Sequence, residues 1–356
     1  MTECNRCLFT SEIASINEQC EYCDLHDKLE AEYGTQSISP IIEKIKSHKG
    51  DYNCLIGISG GLDSSLLLYM AVQWGLKPLV IHFDNKWNTP QSEANITNLI
   101  NWASKHKNIT FIRYSVDDVE YTELNLAFLR ASIPDADIPN DIAMTKLMYQ
   151  TAERYGIKYI LNGHDFRTEG STPKGWTYMD GKYIRSVYKA FYGKDLLNYP
   201  IFTFKDQIMA AIKGIKQVRP FYYLKNRTEI ENDMKTTIRW SDYGGKHCEN
   251  TYTEFVGAYL LPKKFNINKR LVYLSAQIRS GKMDKSEAKL IMQLNTHFDL
   301  SRVESILKQL PFDVMQTEIG SRDKYDKYDF KKYKYLIWLL AKLKVVPYTF
   351  YVKYAK

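Results

Sequence analysis

The sequence predicts an α/β protein: a doubly wound parallel sheet, preceded by a small cysteine knuckle and followed by a mostly helical region. Short apolar runs of strand length alternate with helical patterns from Asn53 to Gly163. Two C-x-x-C pairs stand at the very start, and the composition shifts at Trp240. A chain of 356 residues also exceeds what one core usually organises. The expected divisions are residues 1–30 for the knuckle, 31–240 for the α/β domain and 241–356 for the helical domain.

The elements follow in order. Cys4 with Cys7 and Cys20 with Cys23 form two knuckles that together complete a tetrahedral four-thiolate site. In a segment with so little apolar content, a structural Zn2+ is the expected occupant; an iron–sulfur cluster and unliganded thiols are the alternatives. Residues 27–48 read as a polar, helical linker. NCLIGIS is a buried strand, SSLLLYMAVQWG a helix ended by Gly75, and PLVIHFD (78–84) a second buried strand. A helix from about Ser92 to His106 precedes the strand ITFIRYSV. Helical patterns at 121–132 and 141–155 lead to the strand KYILNG. Residues 166–216 look irregular, an insertion or lid. QVRPFYYL reads as a further strand and NRTEIENDMKTT as the helix after it. The closing stretch KYDFKKYKYLIWLLAKLKVV mixes lysines, tyrosines and a short apolar run, the pattern of a docked helix or of a partner-binding surface. Cys54 lies within a buried strand as a small hydrophobe; Cys248 follows Lys246 and His247, neighbours that could activate a thiol, but a catalytic role is not expected of it.

Composition excludes some classes. With 49 basic against 41 acidic residues the net charge is +8, a bias that permits a phosphate-bearing partner without requiring one. No stretch of about 18 apolar residues occurs, and the N-terminus lacks a basic segment followed by an apolar core. A cytoplasmic protein is expected.

Parallel sheets of this kind bind ligands beyond the carboxyl ends of their strands, here SGGLDSS, HFDNKWN and NGHDF. In the first of these, the glycine pair lets the backbone turn tightly against a ligand while the first N–H groups of the following helix point at it. Ser59, Ser64 and Ser65 add hydroxyl donors, and Asp63 places a carboxylate beside the bound anion, which is sensible if Mg2+ lies between them. The loop is neither G-x-x-x-x-G-K-[ST] nor G-x-G-x-x-G.

SGGLDSS resembles the pyrophosphate-binding loop of the N-type ATP pyrophosphatases, the PP-loop superfamily, over roughly residues 40–240. The resemblance implies a Rossmann-like fold and ATP held by Ser59, Gly60, Gly61, Leu62, Asp63, Ser64 and Ser65, with Gly163 and Asp84 nearby, Asp84 toward the ribose or metal. It implies attack of a substrate carbonyl oxygen on the α-phosphate, with Asp63 catalytic. Thr2 stands where the asparagine synthetase type carries its glutaminase cysteine, and neither Cys54 nor Cys248 has the setting of the other glutaminase type. Ammonia must come from elsewhere.

The cysteine pairs, NGHDF, WSDYGGKHCENTYTEF, LPKKFNINKR and LSAQIRSGKMDKSEA together are similar to the N-acetyl sugar amidotransferases of bacterial surface-polysaccharide and nonulosonic acid pathways, from Cys4 to about residue 295. The resemblance implies conversion of an acetamido group, on an acidic or nucleotide-activated amino sugar, into an acetamidino group. Its implied partners are a glutaminase subunit and a cyclase-like barrel that supply ammonia. Asp165 is then expected to orient acetamide or ammonia, with His164 beside it. Lys246, His247, Lys263, Lys264, Lys269 and Arg270 would meet the sugar's diphosphate or carboxylate. A PP-loop enzyme of tRNA modification, chiefly thiolation, is the alternative. Such enzymes need further cysteines near the loop, so a nucleic-acid partner is the weaker expectation.

Overall fold

The computed structural model describes residues 2–106, 109–294, 298–343, 345–346 and 348–355. Its centre is a five-stranded, all-parallel sheet. A two-stranded antiparallel hairpin, β1 (Ile16–Asn17) and β2 (Gln19–Cys20), lies outside it in the knuckle. The sheet comprises β3 (Cys54–Gly57), β4 (Pro78–Asp84), β5 (Thr110–Ser115), β6 (Tyr159–Leu161) and β7 (Lys216–Val218), in the order β5-β4-β3-β6-β7. The chain runs outward from β3 through β4 to β5, then returns to the other side of β3, so the strand order reverses between β3 and β6. That switch point is where a doubly wound sheet opens a crevice at the carboxyl ends of its strands. The fold class is the one the sequence predicts.

Both faces are covered, as a parallel sheet requires. Cys54, Ile56, Val80 and Leu161 join one apolar cluster, while Leu55, Leu79, Ile81 and Ile160 join another, the period-two alternation of a strand buried on both sides. The helices are α1 (Glu21–Tyr33), α2 (Ser39–Lys46), α3 (Leu62–Gln73), α4 (Pro90–His106), α5 (Asp118–Ala131), α6 (Ile138–Arg154), α7 (Gly181–Tyr192), α8 (Phe204–Ile212) and α9 (Thr228–Thr237). Helices α2, α3, α4 and α9 contribute to the first cluster, and α6 and α8 to the second. Helix α3 is apolar almost all round, with Leu66 to Val72 buried without a break, because it packs between the sheet and its neighbours.

Some expectations require correction. The linker is two helices, and α1 starts within the knuckle and carries Cys23. The strand expected in QVRPFYYL stops at Val218, where Pro220 removes a backbone donor, and a 3₁₀ turn (Pro220–Tyr223) follows. The stretch 166–216 is not an irregular insertion, since it contains α7 and α8. Helix α7 buries Tyr183, Ile184, Val187 and Tyr188 in a third cluster shared with α5 and with residues 252–314. The C-terminal residues therefore extend a core begun well before Trp240.

After α9 come α10 (Thr251–Glu254), a π turn (Phe255–Leu260), α11 (Leu261–Phe265) and α12 (Arg270–Arg279), with further helices beyond. Helix α12 packs against the knuckle through Val272 and Tyr273.

Candidate functional site

The loop after β3 is shaped by contacts on both sides. Gly60 has φ +79°, and a Cβ there would lie 2.3 Å from the Ser92 carbonyl oxygen at the start of α4. A side chain is thus excluded by conformation and by space. The Gly60 carbonyl accepts from Asn95 Nδ2 (3.3 Å) and Trp240 Nε1 (3.2 Å). Gly61 precedes the first turn of α3, and its N–H donates to Ser59 Oγ (3.3 Å). The Leu62 N–H donates to the Tyr243 hydroxyl (3.2 Å), and Ser59 Oγ and Ser64 Oγ lie 3.3 Å apart. Upward-facing N–H groups are thereby paired with hydroxyls, which an anion can replace with little rearrangement. Ser65 is fully buried behind the turn. A Gly60→Ala variant is expected to lose about 2–4 kcal/mol of stability in denaturant unfolding, from left-handed strain plus the clash with Ser92.

Asp63 is the hub of a charged cluster. Its Oδ1 accepts from Arg227 Nη2 (2.5 Å), and its Oδ2 lies 3.2 Å from Lys246 Nζ. Lys246 Nζ is also 3.3 Å from Glu169 Oε1, and Glu169 Oε2 is 3.5 Å from His164 Nε2. His164 Nδ1 lies 3.2 Å from the Tyr222 hydroxyl. Burial alone would raise the Asp63 carboxyl, but the charges of Lys246 and Arg227 outweigh it and hold the group well below the usual carboxylate range. Burial, opposed by Lys246 and reinforced by Asp63, pushes Glu169 up to about 8. Burial and then the charge of Arg219 push the His164 imidazole down to about 4. At neutral pH the cluster thus holds an ionised Asp63 between two cations, with an uncharged His164 beside a largely protonated Glu169.

A protonated Glu169 implies a pH dependence. A raised carboxyl contributes stability that is fully present below its unfolded pKa and lost as pH rises through the folded value. Wild-type stability should therefore carry a declining contribution between about pH 4.5 and pH 8 that a Glu169→Gln variant lacks. Urea unfolding of both proteins across that window measures it; parallel curves would contradict the assignment.

The sequence-selected residues are not all brought together. Gly163 lies against the loop, its missing Cβ 3.1 Å from the Asp63 carbonyl oxygen. Lys246 joins the hub, and His247, at φ +63°, packs on Tyr273 of α12, 5.6 Å between ring centres. Burial, then the charges of Lys246 and Lys269, push His247 down to about 3. Asp165 is 0 % exposed, its Oδ1 accepting the Arg167 N–H (2.9 Å) and its Oδ2 3.8 Å from Arg227 Nε. It faces Arg227 from beneath rather than the open side. Asp84 is tied to Arg113 (3.0 Å) and to the Lys86 N–H (3.0 Å), a separate cluster at the edge of the sheet. Arg270 is diverted to the Ile291 and Leu294 carbonyls, and Lys264 to Val314 and Thr317, so both serve the packing of the C-terminal helices. Cys248 is buried, and burial with Glu254 nearby pushes its thiol up to about 12, which removes it as a nucleophile at neutral pH.

Three participants were missed. Arg227 is 164 residues from Asp63 in sequence and looked like a helix start. Glu169 fell in the stretch read as irregular. Glu249 lies against the loop, with Oε1 3.4 Å from Ser59 Oγ and its carbonyl taking the Thr89 N–H (2.9 Å) and Ser92 hydroxyl (2.9 Å). Arg227 Nη1, Asp165 Oδ2 and Glu249 Oε2 are buried without hydrogen-bond partners among the described residues, the signature of a site that expects polar company.

The four knuckle cysteines are placed so that they could hold a metal ion. They are buried, with all four sulfurs within 4.8 Å of one another and neighbouring pairs at 3.6–3.8 Å. A tetrahedral ion with 2.3 Å bonds to sulfur sets thiolates about 3.8 Å apart. Arg279 of α12 donates to Cys7 Sγ (3.2 Å) and Cys23 Sγ (3.3 Å), and the Cys20 N–H donates to Cys4 Sγ (3.3 Å). Such donors orient thiolate ligands and offset their charge.

Comparison with known proteins gives two family matches. Residues 49–167 match the family described as thiamine biosynthesis protein (ThiI). Residues 249–344 match the family described as LPS biosynthesis protein WbpG-like, C-terminal domain. An uncharacterized protein of Methanocaldococcus jannaschii is 27% identical over 132 residues, 36% of this chain and 44% of that protein, so the match spans less than half of the relative. Two solved structures are similar at 11% identity. One is NMN synthetase from Francisella tularensis (TM-score 0.38, 85% of this chain, 98% of that one). The other is the U34-tRNA thiolase NcsA from Methanococcus maripaludis with its 4Fe–4S cluster (TM-score 0.36, 92% and 99%). The doubly wound parallel sheet with a loop at its switch point is the fold expected of a PP-loop protein, and residues 49–167 around that loop match the ThiI family. Residues 249–344, beyond the sheet, are similar to the C-terminal domain of WbpG-like proteins.

Proposed function

We propose that the chain is an ATP-dependent amidotransferase that converts the acetamido group of an amino sugar into an acetamidino group for bacterial surface glycans. The observation that carries this is the position of Glu249, the first residue of the WbpG-like match, against Ser59 of the loop, with Lys246 just before it on Asp63. The glycan-associated domain and the ATP loop thus share one site.

In this reading the acetamide oxygen attacks the α-phosphorus of ATP and pyrophosphate leaves. Ammonia then adds to the activated carbon, and AMP departs with the former oxygen. The loop N–H groups, Ser59 and Ser64 bind the pyrophosphate, and Lys246 moves from Asp63 onto its growing charge. Asp63 and Glu249 would hold Mg2+, which supplies further neutralisation of that charge. Arg227, held by Asp165 and Glu231 (2.9 Å), positions Asp63. The sugar's place is proposed as the cleft of about 240 Å³ lined by Trp87, Ser301, Arg302, Ser305, Ile306 and Thr251, the last of these two residues past Glu249 along the chain. Ammonia comes from a glutaminase subunit with a cyclase-like barrel, since both thiols outside the knuckle are buried. The same burial weighs against sulfur transfer to RNA. The knuckle holds Zn2+, whose single-ion geometry suits the sulfur spacing better than a multi-iron cluster. The division at residues 30 and 240 is then one of role, between a structural knuckle, an ATP-binding region and a substrate-binding region, since α1 and the third cluster run across it.

The purified chain should be given magnesium-ATP, an ammonium salt and a panel of diacetamido sugar nucleotides and nonulosonic acids. AMP is expected with one sugar only, its mass lowered by exchange of O for NH. AMP that appears with tRNA and with no sugar would refute this assignment in favour of RNA modification.

A further inference from the structure

The C-terminal helix leaves an apolar face exposed. After the 3₁₀ turn Phe330–Tyr333, the helix Lys334–Lys342 turns Ile337 and Ala341 into a small core with Phe330, Val346, Tyr351 and Ala355. That packing accounts for one face. The other carries Leu336, Leu339 and Leu343 at helical spacing, all about half exposed or more, with Tyr335 83% exposed and Tyr333 and Trp338 at its margins. A surface helix normally turns polar side chains to water on this face, and a contiguous apolar stripe in its place marks an interaction site. Lysines frame it: Lys331, Lys332 and Lys334 are exposed at one end and Lys342 at the other, its ammonium 4.1 Å from the Trp338 ring centre. Residues 330–356 contain seven lysines and no aspartate or glutamate.

We propose that this face docks on an anionic phospholipid surface. Charge complementarity selects that occupant: a run of lysines without a single acid suits negatively charged headgroups, while leucines enter the acyl boundary and tyrosines and tryptophan sit at headgroup level. The helix is about 13 Å long, far short of the roughly 30 Å hydrocarbon layer, so it lies along the surface rather than crossing it. The inference is independent of the reaction assigned above.

The test is co-sedimentation of the full chain with vesicles of phosphatidylcholine alone or with about one-third phosphatidylglycerol. Wild type is expected to pellet with the anionic vesicles only, and less as salt rises from about 0.1 to 0.5 M. A Lys331→Glu/Lys332→Glu/Lys334→Glu variant should lose more than ~10-fold in partitioning, since each lysine at such a surface is worth roughly fivefold. A Leu336→Ser/Leu339→Ser/Leu343→Ser variant should also lose binding while its melting curve stays unchanged, because these side chains already face water. A wild type that stays in the supernatant with both vesicles, or pelleting that neither variant weakens, overturns the proposal. So does a concentration-dependent dimer that the leucine variant abolishes and that does not sediment with lipid, which would assign the face to a second copy of the chain.

Discussion

An Asp63→Ala variant is expected to form AMP and pyrophosphate roughly 10²–10³-fold more slowly than wild type, while its metal content stays the same. Asp63 stands between Arg227, which is buried, and Lys246, which is partly so; burial works against both cations, and the negative charge of Asp63 outweighs it and raises the pKa of each. Without it, two cations face each other across the loop with only the Glu169 carboxyl near Lys246, and the N-terminus of α3 loses its acidic neighbour. Loss of catalysis should therefore come with some loss of stability. An Asp63→Asn variant, which keeps the shape, separates the two: it should restore much of the stability and little of the rate. Steady-state AMP formation and urea unfolding of both variants give the comparison. Full activity in the alanine variant would remove the loop from the chemistry and leave the chain a scaffold.

Stripping the metal should have the opposite spread of effects. Chelation is expected to release one ion per chain, lower the melting temperature and reduce activity about tenfold, even though no cysteine touches the loop. The link is α1, which begins at the metal site and ends near the catalytic cluster. Its Glu30 grips Arg167 at 2.7–2.8 Å, and Arg167 donates to the Phe221 and Tyr222 carbonyls while its N–H caps Asp165. An unravelled knuckle frees α1, then Arg167, then the turn that carries His164 and Glu169. Metal titration with a chromogenic chelator, followed by activity recovery on re-addition, tests the order. Unaltered activity in a metal-free, still folded chain would show that this coupling is absent. A Cys20→Ser variant should resemble the stripped protein.

What could be read beforehand was local. Cys4, Cys7, Cys20 and Cys23 announce themselves because metal geometry restricts spacing along the chain, and SGGLDSS because a strand, a tight turn and a helix N-terminus must be consecutive. Arg227 and Glu169 were hidden, for what joins them to Asp63 is the order of strands, which no window of sequence displays. Glu249 was in view but followed Lys246 and His247, whose chemistry drew attention first. Helix α7 had readable signals, Asp180 accepting from the Tyr183 N–H at its start and Gly193 in the left-handed region at its end, but surrounding glycines, prolines and aromatics resembled a loop. Arg270 and Lys264 illustrate the reverse error. A basic cluster in sequence says nothing about whether carbonyl groups of its own chain will claim it.

The grip of Arg279 on Cys23 spans 256 residues of chain. At typical rates of synthesis, 5–20 residues per second, that arginine is made roughly 13–50 s after the cysteine. Until then the nascent cysteines lack both their guanidinium donor and the apolar cover of Val272. Metal capture on the ribosome would thus precede the contacts that make it secure, and a cell short of metal or under oxidative stress would spoil the chain during that interval rather than after release.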